Sequence, residues 1–228
     1  MRRPRTPEDA LEATSRFYQD RGFAYSLDYV TGWLREHVAL PSSGRVLDLC
    51  CGDGIWSLGM KVLEPQLTLF GIDIAAGGIA KARELVGPEE HFVVGDAERA
   101  LPWPEGYFDV IFARGPGLFN QHDMTHPGAI AVLSRWHSHL TPRGRFYSIF
   151  ASRPDTMGSY TPLTDVVLPY NQVPRTTDSV IFSGGKFHHS IESFHAPFSA
   201  CPDVDVVSYR FVSNTHILVS RASATPTE

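Results

Sequence analysis

The run Val46-Leu-Asp-Leu-Cys-Cys-Gly-Asp-Gly-Ile-Trp56 constrains the fold more than any other stretch. An apolar segment stops at Asp48, and a turn with glycines at 52 and 54 leads into helical spacing. A strand that passes through a glycine-rich turn into a helix opens an alternating α/β chain, and here the alternation continues. Strands are expected at 45–49, 67–73, 91–95, 108–113 and 145–150, with helices at about 54–63, 76–86 and 127–140. Such a pattern predicts a parallel sheet covered on both faces, with ligands outside the carboxyl ends of its strands. Asp48, Asp73, Asp96 and Arg114 fall at or near those ends.

The flanks differ. Thr6-Pro7-Glu8-Asp9 is a helix start, with a capping hydroxyl, a first-turn proline and acids at the positive end of the dipole. Leu11, Thr14, Phe17 and Tyr18 then share a face, and a second helix is expected from Ser26, ending before Pro41. Between about 151 and 187 the chain is rich in proline, glycine, serine and threonine, as functional loops are. A short helix near 190–200 and strands near 204–212 and 215–220 would close the sheet with an antiparallel edge.

Composition narrows the classes of function. With 228 residues, 43% of them hydrophobic and 20% charged, the chain reads as one ordinary globular domain, 1–228. A formal charge of −5 gives no footprint for nucleic acid or an anionic membrane. Three cysteines, two of them the adjacent Cys50 and Cys51, form no disulfide framework, which predicts a reducing cytoplasm. Arg2-Arg3 is followed by Pro4 and charged residues rather than an apolar segment, so no leader and no membrane span is expected.

The turn itself carries chemistry. Glycines let backbone N–H groups approach a ligand closely. The dinucleotide fingerprint wants a third glycine where Ser57 stands, and Lys61 is too far along for a phosphate loop. An acid at this mouth, Asp48, suits a ligand that carries a cation. Asp73 ends the next strand, where a carboxylate can accept hydrogen bonds from two ribose hydroxyls. Gly95-Asp96-Ala97 can offer a carboxylate and a backbone N–H to an adenine edge. A ribose clamp, an adenine clamp and an ammonium-friendly turn without phosphate handling describe S-adenosylmethionine.

At this point the chain resembles the class I S-adenosylmethionine-dependent methyltransferases, in their small-molecule branch. VLDLCCGDG resembles the family's first motif, FGIDIAAGGIAKAR the second, GDAERALPWPEGYFDVIFARG the third and fourth, and LTPRGRFYSIF the fifth strand, over about residues 44–150. The resemblance implies a Rossmann-like, doubly wound, mostly parallel seven-stranded sheet with an antiparallel edge strand. It implies that Asp48, Gly52 and Gly54 surround the methionine part, Asp73 and Ile74 the ribose and adenine, and Asp96 with Ala97 the adenine. FYQDRGFAY resembles the aromatic lid segment, which places Tyr18 and Tyr25 near the cofactor carboxylate and lid helices in 1–40; the proline- and glycine-rich 151–189 is read on its own composition as an acceptor-side insertion. Two features depart from the family pattern: Ala75-Ala76-Gly77-Gly78 stands where a hydroxyl residue is usual, and no helix is legible after the fifth strand.

The reaction implied is methyl transfer from S-adenosylmethionine to O or N of a small molecule, leaving S-adenosylhomocysteine. Ala113-Arg114-Gly115-Pro116 lacks the D/N-P-P-Y/F of exocyclic-amine methylation, and Arg114 would orient an anionic part of the acceptor or form an ion pair. His122, after the fourth strand, is the candidate base. No metal is expected, since His137 with His139 and His188 with His189 have poor spacing for one site. A nucleic-acid methyltransferase and a non-catalytic cofactor-binding subunit are the rival readings, with a nicotinamide oxidoreductase third.

Overall fold

Residues 46–49 lie on an interior strand of a seven-stranded sheet. The structure is a computed structural model that describes residues 11–12, 15–16, 18, 22–23, 25–88, 91–162 and 185–223. Strand β1 (Ser43–Leu49) pairs in parallel with β2 (Gln66–Asp73) and β4 (Phe108–Arg114). The short β3 (Phe92–Val94) flanks β2, and β5 (Leu140–Ala151) flanks β4, both parallel. Beyond β5 the antiparallel β9 (Thr215–Ala222) is inserted before β8 (Val204–Val212), so the order is β3-β2-β1-β4-β5-β9-β8. The expected antiparallel edge is thus a hairpin. A separate ribbon pairs β6 (Tyr160–Pro162) with β7 (Gly185–Phe187).

The period of two in the strands sorts side chains onto two cores. Val46, Val110, Phe112, Tyr147 and Ile149 face α1 (Leu27–His37), α2 (Ile55–Leu63) and α3 (Ala76–Val86). Leu47, Leu49, Ile111, Phe146 and Phe150 face α4 (Pro127–Ser138) and α5 (Ile191–Ala200). Asp48, between Leu47 and Leu49, therefore faces the α2 side.

Local chemistry sets the helix starts. Ser26 caps α1 by accepting from the Tyr29 N–H at 3.2 Å, and Ser190 caps α5 by accepting from Ser193 N–H at 3.1 Å. His126 caps α4 through Nδ1, which accepts from Gly128 N–H at 3.1 Å, with Pro127 at the first position. Helix α1 packs deep: Val30 and Leu34 are fully buried, and a Cβ on Gly59 would lie 2.4 Å from Val30 Cγ1.

The expected elements recur with shifted edges. Helix α4 stops at Ser138 rather than 140, because Leu140 already pairs with Phe108 and Pro142 cannot continue a helix. For the same reason β5 begins at Leu140, not 145, and a register shift between Phe108 and Val110 takes up the extra residues. The expected start of the first helix and Phe17 lie outside the described residues, as do 163–184 of the expected insertion. Among the described residues no helix is long and apolar enough to cross a membrane.

Candidate functional site

The turn between β1 and α2 uses backbone that ordinary residues avoid. Cys50, Gly52 and Gly54 have φ of 62°, 54° and 77°, and the left-handed value at the non-glycine Cys50 is strain of the kind that gathers at functional sites. The turn is pinned by Cys51 N–H donating to Ile72 carbonyl at 3.1 Å and Gly54 N–H to Cys51 carbonyl at 3.0 Å. Asp73 reaches back from β2 and accepts from Gly52 N–H at 2.9 Å and Ala75 N–H at 2.8 Å. Each carboxylate oxygen keeps lone-pair capacity for a further donor.

A cavity of about 220 Å³ opens over this turn, lined by Tyr18, Tyr25, Asp48, Cys50, Cys51, Gly52, Asp53, Ile55, Trp56 and Arg114. Asp48 is 3% exposed and accepts from Ser57 Oγ at 2.6 Å. Burial raises its pKa to about 7; the Ser57 hydrogen bond opposes the rise, and the charges of Asp73 and Asp53 add to it. Burial also pushes Asp73 up, against the backbone donors from Ala75 and Gly52. Burial raises the thiols of Cys50 and Cys51 as well, which suits small packed groups rather than nucleophiles. A site crowded with acids favours a cation.

Aromatic rings wall the cavity. Tyr18 covers Gly52 so closely that a Cβ there would meet its hydroxyl at 2.8 Å, and Ser15 Oγ beside it accepts from Gly77 N–H at 2.8 Å. The second glycine of the unusual Ala-Ala-Gly-Gly segment has a steric reason: a Cβ on Gly78 would lie 2.6 Å from the Gly52 carbonyl. Tyr25 stands edge-on to Trp56, with ring centroids 5.7 Å apart. Arg114 donates to the Tyr25 hydroxyl at 2.8 Å, and its guanidinium lies 4.7 Å from the ring centres of both Tyr25 and Trp56. Among the described residues Arg114 makes no ion pair.

The sequence-predicted residues divide. Tyr18, Tyr25, Asp48, Gly52 and Arg114 meet in the cavity, with Asp73 bonded to its floor. Gly54 is turned away, against Ala82 of α3. Ile74, Asp96 and Ala97 lie outside the lining; Asp96 Oδ1 accepts from Glu98 N–H at 3.0 Å, and the Ala97 carbonyl accepts from Trp136 Nε1 at 2.9 Å. His122 is an exposed loop residue beside Tyr160, whose hydroxyl is 3.5 Å from its Nδ1. Sequence reasoning missed Ser57, which it read only as an absent glycine, although its spacing to Asp48 across the turn was available.

The other histidines are mostly structural. His137 bonds the Leu133 carbonyl at 2.7 Å and Ser220 Oγ at 2.8 Å, and burial lowers it to about 4. His189 bonds the Phe119 carbonyl at 2.6 Å and Ser193 Oγ at 3.1 Å, while His216 bonds the His189 carbonyl at 3.0 Å and Tyr209 at 2.7 Å. Among the described residues no group of three His, Cys, Asp or Glu is placed to hold a metal ion. A larger depression, about 400 Å³, lies beside Lys61, Leu67 and His91, away from the strand carboxyl ends; its Lys61 ammonium donates to the Leu67 carbonyl at 2.8 Å.

Comparison with known proteins converges on one fold. A family described as a methyltransferase domain matches residues 46–144. An uncharacterized methyltransferase of Synechocystis is 30% identical over 128 residues, 56% of this chain and 57% of that protein. A demethylmenaquinone methyltransferase of Deinococcus radiodurans is 32% identical over 126 residues, 53% of this chain and 49% of that one. The chain thus spans about half the length of these curated relatives. Among solved structures, a DhpI–SAH complex superposes with a TM-score of 0.62 at 17% identity, covering 96% of this chain and all of that one.

Proposed function

We propose that this chain, which has the class I methyltransferase fold, binds S-adenosylmethionine over the β1–α2 turn and methylates an oxygen or nitrogen of a small molecule. The observation that carries the reading is the pairing, in one aromatic-walled cavity, of buried Asp48 with the ring-stacked Arg114. A buried acid and a guanidinium lining one cavity suit a zwitterionic amino-acid group beside a sulfonium. Arg114 then serves the cofactor's carboxylate together with Tyr25, rather than the acceptor. At about 220 Å³ the cavity is below the ~300–1,000 Å³ of whole-ligand pockets, so it suits the amino-acid end alone. The nucleoside would run past Asp73 and Ile74 toward Asp96 and Ala97.

When bound, the sulfonium supplies an activated methyl carbon, whose bond to sulfur breaks as the acceptor atom bonds to it. The chain aligns the acceptor and excludes water, with Tyr18, Tyr25 and Trp56 as walls. His122 takes the acceptor's proton where one must leave. Substituting His122→Ala is expected to lower kcat at least about a hundredfold, the low side of the usual ~10²–10⁴ for acid–base catalysis, with cofactor affinity unchanged. Unaltered turnover would remove the histidine from the mechanism. The demethylmenaquinone methyltransferase name among the relatives, and the O-methyltransferase holding S-adenosylmethionine and a hydroxylated naphthoic acid among structures of the same fold, support a small-molecule acceptor.

The reading is tested by pH. A cation beside Asp48 favours its carboxylate, which in the free protein is half-protonated near pH 7. Binding of S-adenosylmethionine should therefore weaken as pH falls below 7, by up to about tenfold per unit, and level off above 7. Calorimetry in buffers of different ionisation enthalpy should register proton release at pH 6, and Asp48→Asn should abolish the slope. The sign for stability is opposite. Because the folded pKa is raised, the unliganded protein loses up to about 4 kcal/mol as pH climbs from near 4 through 7. Absence of binding to wild type at any pH would sink the proposal.

A further inference from the structure

The loop after β3 has little of the sheet to hold it. Strand β3 is three residues long and stands at the edge, paired with β2, and past its end Gly95 N–H donates to the Asp73 carbonyl at 3.0 Å. Residues 96–99 then form a turn, closed by Arg99 N–H donating to the Asp96 carbonyl at 3.0 Å. Helix α4 grips that turn from the side. Trp136 Nε1 donates to the Ala97 carbonyl at 2.9 Å, and Arg135 Nη2 donates to the Glu98 carbonyl. Two successive carbonyls of the turn are thus held by two neighbouring residues of the helix. The indole is itself held: Trp136 is fully buried, stacks on Phe146 with centroids 6.0 Å apart and meets Phe119 edge-on at 6.5 Å.

The gripped turn carries the groups expected to read the base. Asp96 Oδ1 accepts from Glu98 N–H at 3.0 Å, and Arg99 Nε lies 3.3 Å from Oδ2. Burial raises the Asp96 pKa, while the Glu98 N–H and the charges of Arg99 and Arg135 oppose the rise, so Arg135 also favours the ionised carboxylate. A carboxylate there would accept from the exocyclic amine of adenine, and Ala97 N–H would donate to the ring nitrogen beside it. Hypoxanthine reverses both roles, with a carbonyl in place of the amine and an N–H at that nitrogen. A turn in its correct place therefore rejects it, and correct place means to within ~0.5 Å.

We infer that Trp136, with Arg135 beside it, is a positioning residue for cofactor recognition: it holds the 96–98 turn against the adenine edge and so sets the preference for adenine over other purines. The inference rests on the S-adenosylmethionine reading. The probes are S-adenosylhomocysteine and its deaminated analogue S-inosylhomocysteine, titrated into the full chain by calorimetry. Wild type should prefer the adenine form by about a hundredfold or more, as sites built on paired hydrogen bonds do. Trp136→Phe, which keeps a ring and removes the N–H, should cut that ratio about tenfold or more, chiefly by weakening S-adenosylhomocysteine. Arg135→Met should cut it in the same direction. Val132→Ala, buried on the same helix, loosens α4 without removing a bond to the turn, so it should lower Tm and leave the ratio as it is. An unchanged ratio in Trp136→Phe would overturn the inference, and so would an equal fall in Val132→Ala, the mark of general loosening. If Trp136→Phe does not fold, the ratio in Arg135→Met decides in the same way. Wild type that binds S-adenosylhomocysteine without preferring it would overturn the inference and leave the methyl-transfer reading in place. Binding of neither compound would overturn both.

Discussion

Gly54→Ala is expected to destabilise the protein by about 3–4 kcal/mol, a loss of roughly ten degrees in Tm for a chain of this size. Two penalties combine. Gly54 sits at φ 77°, which costs a residue with a Cβ about 1–2 kcal/mol. That Cβ would also lie 2.7 Å from Ala82 Cβ and 2.8 Å from Ala82 Cα, so the backbone of α3 would have to withdraw. Overpacking of this kind costs about 1–3 kcal/mol. Gly106→Ala is the control: φ is 65°, and nothing lies within 4 Å of its Cβ. It should lose only the backbone penalty. Urea unfolding that gives equal losses for both variants would show that the approach of the turn to α3 is not tight.

Asp73→Ala should weaken S-adenosylmethionine binding at least tenfold, about 1.4 kcal/mol, and destabilise the unliganded fold as well. Removing the carboxylate leaves the Gly52 and Ala75 N–H groups without the acceptor that holds them, at about 1–3 kcal/mol for each buried donor left unmade. The affinity loss alone does not separate a collapsed turn from a lost ribose contact. A cofactor product lacking the ribose 2′-hydroxyl does. Wild type should discriminate against it, and Asp73→Ala should not, because the partner of that hydroxyl is already gone. Equal discrimination in both proteins would confine Asp73 to shaping the turn.

What could be read from the residues was what depends on local pattern. The order of strands and helices followed from apolar periodicity, and the ends of α3 at Ala76 and Val86 fell where expected despite two glycines in its first turn. Those glycines were legible as a helix cost, but the reason for Gly78 was not, since it lies in a close approach to the Gly52 carbonyl across the turn. The start of β5 was missed because Leu140-Thr-Pro-Arg-Gly144 carries turn residues, and only pairing with Phe108 makes it strand. Arg114 was legible as a cation at the carboxyl end of a strand, yet its place over the rings of Tyr25 and Trp56 depends on residues far apart in sequence. Asp48 was legible as an acid at the mouth, while its pKa near 7 required knowing how completely the fold buries it, with Asp73 and Asp53 adding to the rise and the Ser57 hydrogen bond opposing it.

The place of β9 in the sheet carries a kinetic consequence. Strand β5, whose end bears Phe150 beneath Lys186, has β4 on one side and residues 215–222 on the other. During synthesis β5 therefore leaves the ribosome about seventy residues before the strand that covers its second edge, at ~5–20 residues per second. For those seconds an apolar strand with an open row of N–H and C=O groups waits for a partner, which is the condition for pairing with another chain. Completion of this half of the sheet is thus a late, non-local event in folding, and the yield of folded protein should depend more on closing this edge than on forming the β1 turn.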